Sequence, residues 1–252
     1  MAKKDKKRVS KRKRRKRAIL TFFVLVAVSL LCGLSFTVFF PVKNIEVLNN
    51  SIYNTQEIIN ASLINNGDNL LRLSEKRVLE NLQESLPFVD GIVLEKKLPD
   101  TVIIEVTEAT EYCCYNIDGI YYSTDINGRV LKEYYEIPSL VYVECKASLS
   151  KDNIRSVVLE SDNHKNVLNE ILNSGKLDNT KLNYIDISNL YDIKIGIDNR
   201  FTIELGEDRY INEKLALFSK MAESKTQENS GVFRFNMWEP NNPQGSYVEN
   251  KR

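Results

Sequence analysis

Acid–base, nucleophilic and metal chemistry each need particular side chains held close together, and this 252-residue chain offers few candidates. Its one histidine, His164, stands in the polar stretch Ser161-Asp162-Asn163-His164-Lys165-Asn166, where a lone surface imidazole lacks the partner that would make it a base or a ligand. The four cysteines, Cys32, Cys113, Cys114 and Cys145, show none of the paired Cys/His spacings of a zinc site. Cys32 falls in an apolar run and packs there. The other three leave at least one thiol unpaired, and adjacent cysteines rarely bridge. The only disulfide open to them therefore joins Cys145 to Cys113 or Cys114, the alternative being burial as thiols. Asp186 and Asp192 could form a carboxylate pair for hydrolysis, yet 33 acids lie beyond residue 17 and coincidence suffices. No glycine-rich phosphate loop and no Gly-x-Ser-x-Gly elbow occurs. The sequons at Asn49 and Asn60 matter only in a eukaryotic secretory pathway. The expectation is a non-catalytic protein with no metal site, no cofactor and no small-molecule substrate.

With chemistry set aside, charge and hydropathy place the chain. Residues 1–17 hold 12 Lys/Arg and one acid, a net of +11, so the other 235 residues, with 23 basic and 33 acidic groups, net −10. Between the two blocks lies AILTFFVLVAVSLLCGLSFTVFF, residues 18–40, without a charge and long enough as a helix to cross a hydrocarbon slab of about 30 Å. A cleaved signal peptide would have a shorter apolar core and small residues before its cut, whereas this run ends in Val38-Phe39-Phe40. A buried core helix would show a polar face. The run therefore reads as an uncleaved single-pass anchor, with the basic tail in the cytoplasm and everything from Pro41 outside. The tail reads as a topology signal that clings to anionic membrane lipid, not to nucleic acid, since no aromatic residue is interleaved to stack on bases.

The exterior part falls into two modules. In the first, 41–108, residues 44–48 alternate as a strand and Thr55 offers a helix N-cap. A stripe of Ile58, Ile59 and Leu63 follows, and Asn66-Gly67 breaks that helix. Ser74 caps a second helix with Val78, Leu79, Leu82 and Leu86 on one face, stopped by Pro87. Strands 88–96 and 101–107 then flank Leu98-Pro99-Asp100, giving the order β-α-α-β-β.

The second module, 109–238, opens with strands 112–116 and 120–123 around Asp118-Gly119, a hairpin signal. Asn127-Gly128 marks the turn before 129–131, residues 151–172 read as irregular helix, and strands 183–187, 193–197 and 201–205 follow. Ile211, Leu215, Phe218 and Ala222 define an amphipathic helix. Residues 231–237 read as the last strand and the candidate exposed edge, with large apolar groups on both faces. A sheet edge can take a strand from a partner, and aromatic and Arg side chains anchor interfaces. The candidate partner-binding residues are Val232, Phe233, Arg234, Phe235, Met237 and Trp238, with Arg234, Phe235 and Trp238 as the individual anchors. Residues 239–252, rich in Pro and Asn, read as a flexible tail. The expected class is α+β, with one N-terminal transmembrane helix, the β-α-α-β-β module, and a second mixed α/β, mostly β, module.

These pieces together resemble a known family. A basic tail and one anchor precede FPVKNIEVLNN (40–50), GDNLLRLS (67–74) and LPFVDGIVLEKKLPDTVIIEVTE (86–108), and the likeness continues through IDGIYYSTDINGRVL (117–131) and IELGEDRYINEKLALFSKM (203–221). The combination is similar to the FtsQ/DivIB family of bacterial cell-division proteins, whose first exterior module is a POTRA domain. The resemblance implies a scaffold of the divisome at the septal membrane. It implies contacts with DivIC/FtsB-like and FtsL-like coiled-coil proteins and, through them, with the septal peptidoglycan synthase and transpeptidase. Two rival expectations are a POTRA-containing secretion or assembly component and a membrane-anchored cell-wall enzyme. The first normally carries several such modules or a β-barrel, which this sequence lacks.

Overall fold

A computed structural model describes residues 19–26, 40–177, 181–226 and 228–250. Contacts divide the chain into two compact units, Met1–Glu108 and Ala109–Arg252. Of the predicted span 18–40, residues 19–26 form helix α1 and Phe40 is described; residues 18 and 27–39, like the basic tail 1–17, lie outside the described residues. No helix among the described residues is long and apolar enough to cross a membrane.

In the first unit β1 (Asn44–Leu48) is followed by α2 (Thr55–Ser62), a 3-10 turn at Leu70–Arg72, α3 (Glu75–Ser85), β2 (Val89–Lys97) and β3 (Thr101–Glu108). The sheet order is β1-β3-β2, with β1 parallel and β2 antiparallel to the central strand. The central strand buries Val102, Ile104 and Val106 against Ile58 of α2 and Val78 and Leu82 of α3. Alternation in the strand and 3.6-residue spacing in the helices put those apolar groups on facing surfaces. The cap of α2 is Asn54 and not Thr55. Asn54 Oδ1 accepts from Glu57 N at 2.9 Å while Glu57 Oε2 accepts from Asn54 N at 2.8 Å, which satisfies two otherwise orphan donors at the helix start. Ser74 does stand before α3, but its side chain makes no capping bond. The carboxylate of Glu108 ends β3 by accepting from Ser51 N, Ser51 Oγ and Ile52 N, which holds its pKa below the ordinary carboxylate value.

The second unit is built on a nine-stranded sheet of β4 (Cys113–Ile117), β5 (Ile120–Thr124), β6 (Val130–Tyr134), β7 (Val141–Glu144), β10 (Leu182–Asp186), β11 (Ile193–Ile197), β12 (Phe201–Gly206), β13 (Gly231–Arg234) and β14 (Ser246–Glu249). Their order across the sheet is β14-β13-β12-β11-β10-β7-β4-β5-β6. A small ladder of β8 (Ala147–Leu149) and β9 (Val157–Leu159), α4 (Asp162–Leu172) and α5 (Ile211–Ala222) complete it. Asp118 and Gly119, both at positive φ (53° and 86°), make the tight β4–β5 turn that suits the strand twist. Helix α5 crosses from β12 to the parallel β13 and buries Ile211, Leu215 and Phe218 against Ile203, Leu205 and Phe233.

Three expectations change here. The helix read over 151–172 starts only at Asp162, because Val157-Val158-Leu159 pairs with β8 as a strand. His164 is not at the surface. It sits buried in the first turn of α4, its Nδ1 within 2.8 Å of Ser161 Oγ and its Nε2 4.0 Å from Glu160. The tail 239–252 is not uniformly loose, since Ser246–Glu249 forms β14 and pairs along β13.

Candidate partner-binding edge

The six residues singled out from the sequence lie on or just after β13, and β13 is an interior strand. β12 flanks it on one side in parallel, and β14 on the other in antiparallel register: Gly231↔Glu249, Val232↔Val248, Phe233↔Tyr247 and Arg234↔Ser246. The expected edge at 231–237 is therefore covered, and the outer rim belongs to β14.

Phe233 and Phe235 are wholly buried. Phe233 stacks edge-on with Phe201 (ring centroids 5.4 Å) and Phe218 (5.0 Å), so it forms the joint between β12, β13 and α5. Val232 is half-buried beside Val248. Arg234 faces water with its Nε donating to Glu204 Oε2 at 2.9 Å across the parallel pair. Met237 is 83% exposed. Trp238 is half-buried against the core, and its indole Nε1 is buried without a hydrogen-bond partner among the described residues. The structure thus brings Val232, Arg234, Met237 and Trp238 to partly or fully accessible positions and puts both phenylalanines in the core. An alternating strand cannot bury one face and cover an edge residue without doing this.

The residues that sequence reasoning missed are Tyr247, Val248 and Glu249. Ser246-Tyr-Val-Glu249 does alternate, but four residues next to a Pro/Asn-rich stretch give a weak signal. Asn250 N donates to Ser230 O at 2.9 Å, while Gly231 N donates to Arg200 O and Phe235 N to Glu204 O, on the β12 side. Main-chain groups alternate sides along a strand, so Val232 and Arg234 face β14 while Val248 and Ser246 face back. The amides and carbonyls of Tyr247 and Glu249 consequently point outward from the sheet. Tyr247 O–H donates to Ser230 O at 3.0 Å, Lys225 Nζ sits 3.9 Å from the Tyr247 ring centroid, and Asn229 Nδ2 donates to Glu249 Oε1 at 2.6 Å. Gly231 is required beneath this strand, because a Cβ there would meet Val248 O at 2.3 Å.

The remaining candidates for chemistry are dispersed. Asp186 accepts from Ser188 N and Oγ, closing its own turn, and Asp192 accepts from Lys194 Nζ at 2.7 Å. Cys113, Cys114 and Cys145 are free thiols. β4 and β7 register Cys114 with Tyr142, so Cys145 lies three residues, roughly 10 Å, further along. That offset exceeds the ~7 Å Cα separation a disulfide spans. Burial pushes Cys113 up to about 12, with neighbouring Cys114 adding to it, and Cys114 up to about 11. Cys145 goes to about 12 through burial, then Asp186 and Glu160.

The profile of the POTRA domain, FtsQ-type, matches residues 40–109. Cell division protein DivIB of Clostridium tetani is 29% identical over 140 residues, 55% of this chain and 52% of that protein. DivIB of Clostridium botulinum strain Hall is 27% identical over 130 residues, 52% of this chain and 50% of its own. Cell division protein FtsQ of Geotalea daltonii is 29% identical over 106 residues, 42% and 38% of the two chains. The chain is a relative of the FtsQ/DivIB cell-division proteins. Its first unit is the FtsQ-type POTRA domain, and the whole is a mixed α/β, mostly β, protein. The chain spans about half the length of the DivIB relatives it matches. Those relatives are named as division proteins.

Proposed function

We propose that this chain is a non-catalytic scaffold of the bacterial divisome, anchored by residues 18–40 with its N-terminus in the cytoplasm and both units outside, at the division septum. Its partners are DivIC/FtsB-like and FtsL-like coiled-coil proteins. Through them it is linked to the septal peptidoglycan synthase and transpeptidase. The observation carrying this reading is the outer rim of β14, where the main-chain groups of Tyr247 and Glu249 face away from the sheet, ready to pair with a strand from a partner. Val248, Met237 and Arg234 offer apolar and cationic contacts close by. An anchor would hold both partners in one plane, raising their effective concentration so that a four-residue edge suffices.

The test separates the edge amide from the side chain. Full-length chain is co-expressed with the DivIC-like and FtsL-like proteins, extracted from membranes and purified. Glu249→Ala loses the contact to Asn229 but keeps the outward N–H, whereas Glu249→Pro loses both. Co-purification of the Ala variant near wild type with about a tenfold drop for Pro, the scale of one main-chain hydrogen bond, is the expected result. Equal retention of Ala and Pro variants sinks edge pairing at β14.

A further inference from the structure

We propose that the chain-entry end of the POTRA domain is itself a membrane-surface contact that takes anionic phospholipid headgroups, a step that rests on the anchor reading above. Three segments are stitched together at this end. Phe40 O accepts from Leu70 N at 2.8 Å, and Pro41 bridges Asn69. Lys43 N donates to Asp100 O at 2.8 Å, with Lys43 Nζ 3.1 Å from Asp100 Oδ2. Lys96 Nζ donates to Leu71 O at 3.2 Å and Leu73 O at 2.7 Å. The apolar run ends at Phe40, and the very next residue is already part of the folded unit. No linker remains to lift this end away from the lipid.

The surface so presented has the composition of an interfacial contact. Leu71 is 42% and Leu98 61% exposed, apolar groups that nothing else in the unit requires at a tip. Lys43, Arg72 and Lys97 surround them, all exposed. Residues 41–108 contain six Lys/Arg and eleven Asp/Glu, so the unit is acidic. Four of the six cations (Lys43, Arg72, Lys96, Lys97) lie at this end, with Asp68, Glu75 and Asp100 as the acids beside them; Glu95 directly precedes Lys96 on β2, and Glu46 stands three residues beyond Lys43 along β1. A tip that gathers four of the unit's six cations beside protruding leucines, on an otherwise acidic body, complements an anionic bilayer surface, where each basic side chain contributes attraction and leucines enter the interface.

The experiment uses the full chain in nanodiscs of phosphatidylcholine with or without phosphatidylglycerol, with photo-reactive benzoylphenylalanine in place of Leu98 or, as control, of Ile52. Ile52 is 49% exposed at the opposite end of the sheet, where its amide meets Glu108. Lipid adducts are read by mass spectrometry, and co-elution with the discs reads the anchor separately. The expected result is an adduct yield at 98 well above that at 52, rising with phosphatidylglycerol and falling about fivefold for each cation removed in Arg72→Gln and Lys97→Gln. Equal yields at 98 and 52 in disc-embedded protein, or a yield at 98 indifferent to phosphatidylglycerol, overturns the contact while the anchor stands. A chain that fails to enter the discs overturns the anchor, and the contact with it.

Discussion

The Tyr247 ring lies across Phe233 with centroids 4.7 Å apart, directly opposite it in the β13–β14 register. That pair fastens the last strand to the core, because Phe233 is wholly buried and Tyr247 also reaches Phe201 at 6.4 Å. Tyr247→Ala is expected to free β14, speeding hydrogen exchange at the Val248 and Asn250 amides by an order of magnitude or more while α5 stays protected. Tyr247→Phe loses only the bond to Ser230, about 1 kcal/mol, and should leave most of that protection. Equal exchange in all three proteins would show that β14 is held by its backbone alone.

Lys214, buried in α5, donates its ammonium to Leu205 O at 2.8 Å and Glu207 O at 2.9 Å. Burial holds its pKa below the ordinary 10.5, with Glu207 and Asp208 opposing that drop. Between the lowered value and 10.5 the unfolded chain binds more protons than the folded one, so this group makes stability rise with pH across that window. Lys214→Met should cost about 1–3 kcal/mol at neutral pH, since two carbonyls lose their donor. It should also remove the rise in the alkaline window. Denaturant titrations of both proteins from neutral to alkaline pH check this by difference, and parallel pH curves would contradict it.

The thiols of Cys113, Cys114 and Cys145, raised to about 12, 11 and 12, should be nearly inert. At pH 8 their thiolate fraction falls roughly a hundredfold to a thousandfold below that of an unperturbed thiol, so native alkylation by iodoacetamide should slow by at least that factor relative to denatured chain. The folded state keeps these protons while the unfolded chain releases them above about 9.0, so the thiols lower stability as pH climbs from there toward 12. Mass spectrometry of labelled peptides measures each site, and fast native labelling of Cys113 would contradict its burial.

Much of the first unit was legible because its signals are local. Ile58, Val78 and Leu82 recur at helical spacing, Val102, Ile104 and Val106 alternate, and the same residues form its core. The cap stands one residue before Thr55, since Asn54 and Thr55 both suit an N-cap and only the reach of Glu57 back to Asn54 N selects between them. In the second unit Asp118-Gly119 announced its hairpin. Val157–Leu159 was lost inside a supposed helix, because three residues carry no period and their pairing with β8 is a tertiary fact. The polar neighbours of His164 likewise suggest exposure, but the packing of α4 buries it against Ser161.

By itself the amino-acid order determined the charge blocks, the apolar run, the element order of the POTRA unit and the apolar character of 231–238, all properties of neighbouring residues. Which of those residues a partner could touch was settled only in three dimensions. Phe233 and Phe235 go inward because α5 and β12 cover one face of β13, and Tyr247, Val248 and Glu249 take the rim because a strand from beyond two prolines folds back onto Val232. An edge is a relation between strands distant in sequence, so it exists only once the sheet has closed around its core.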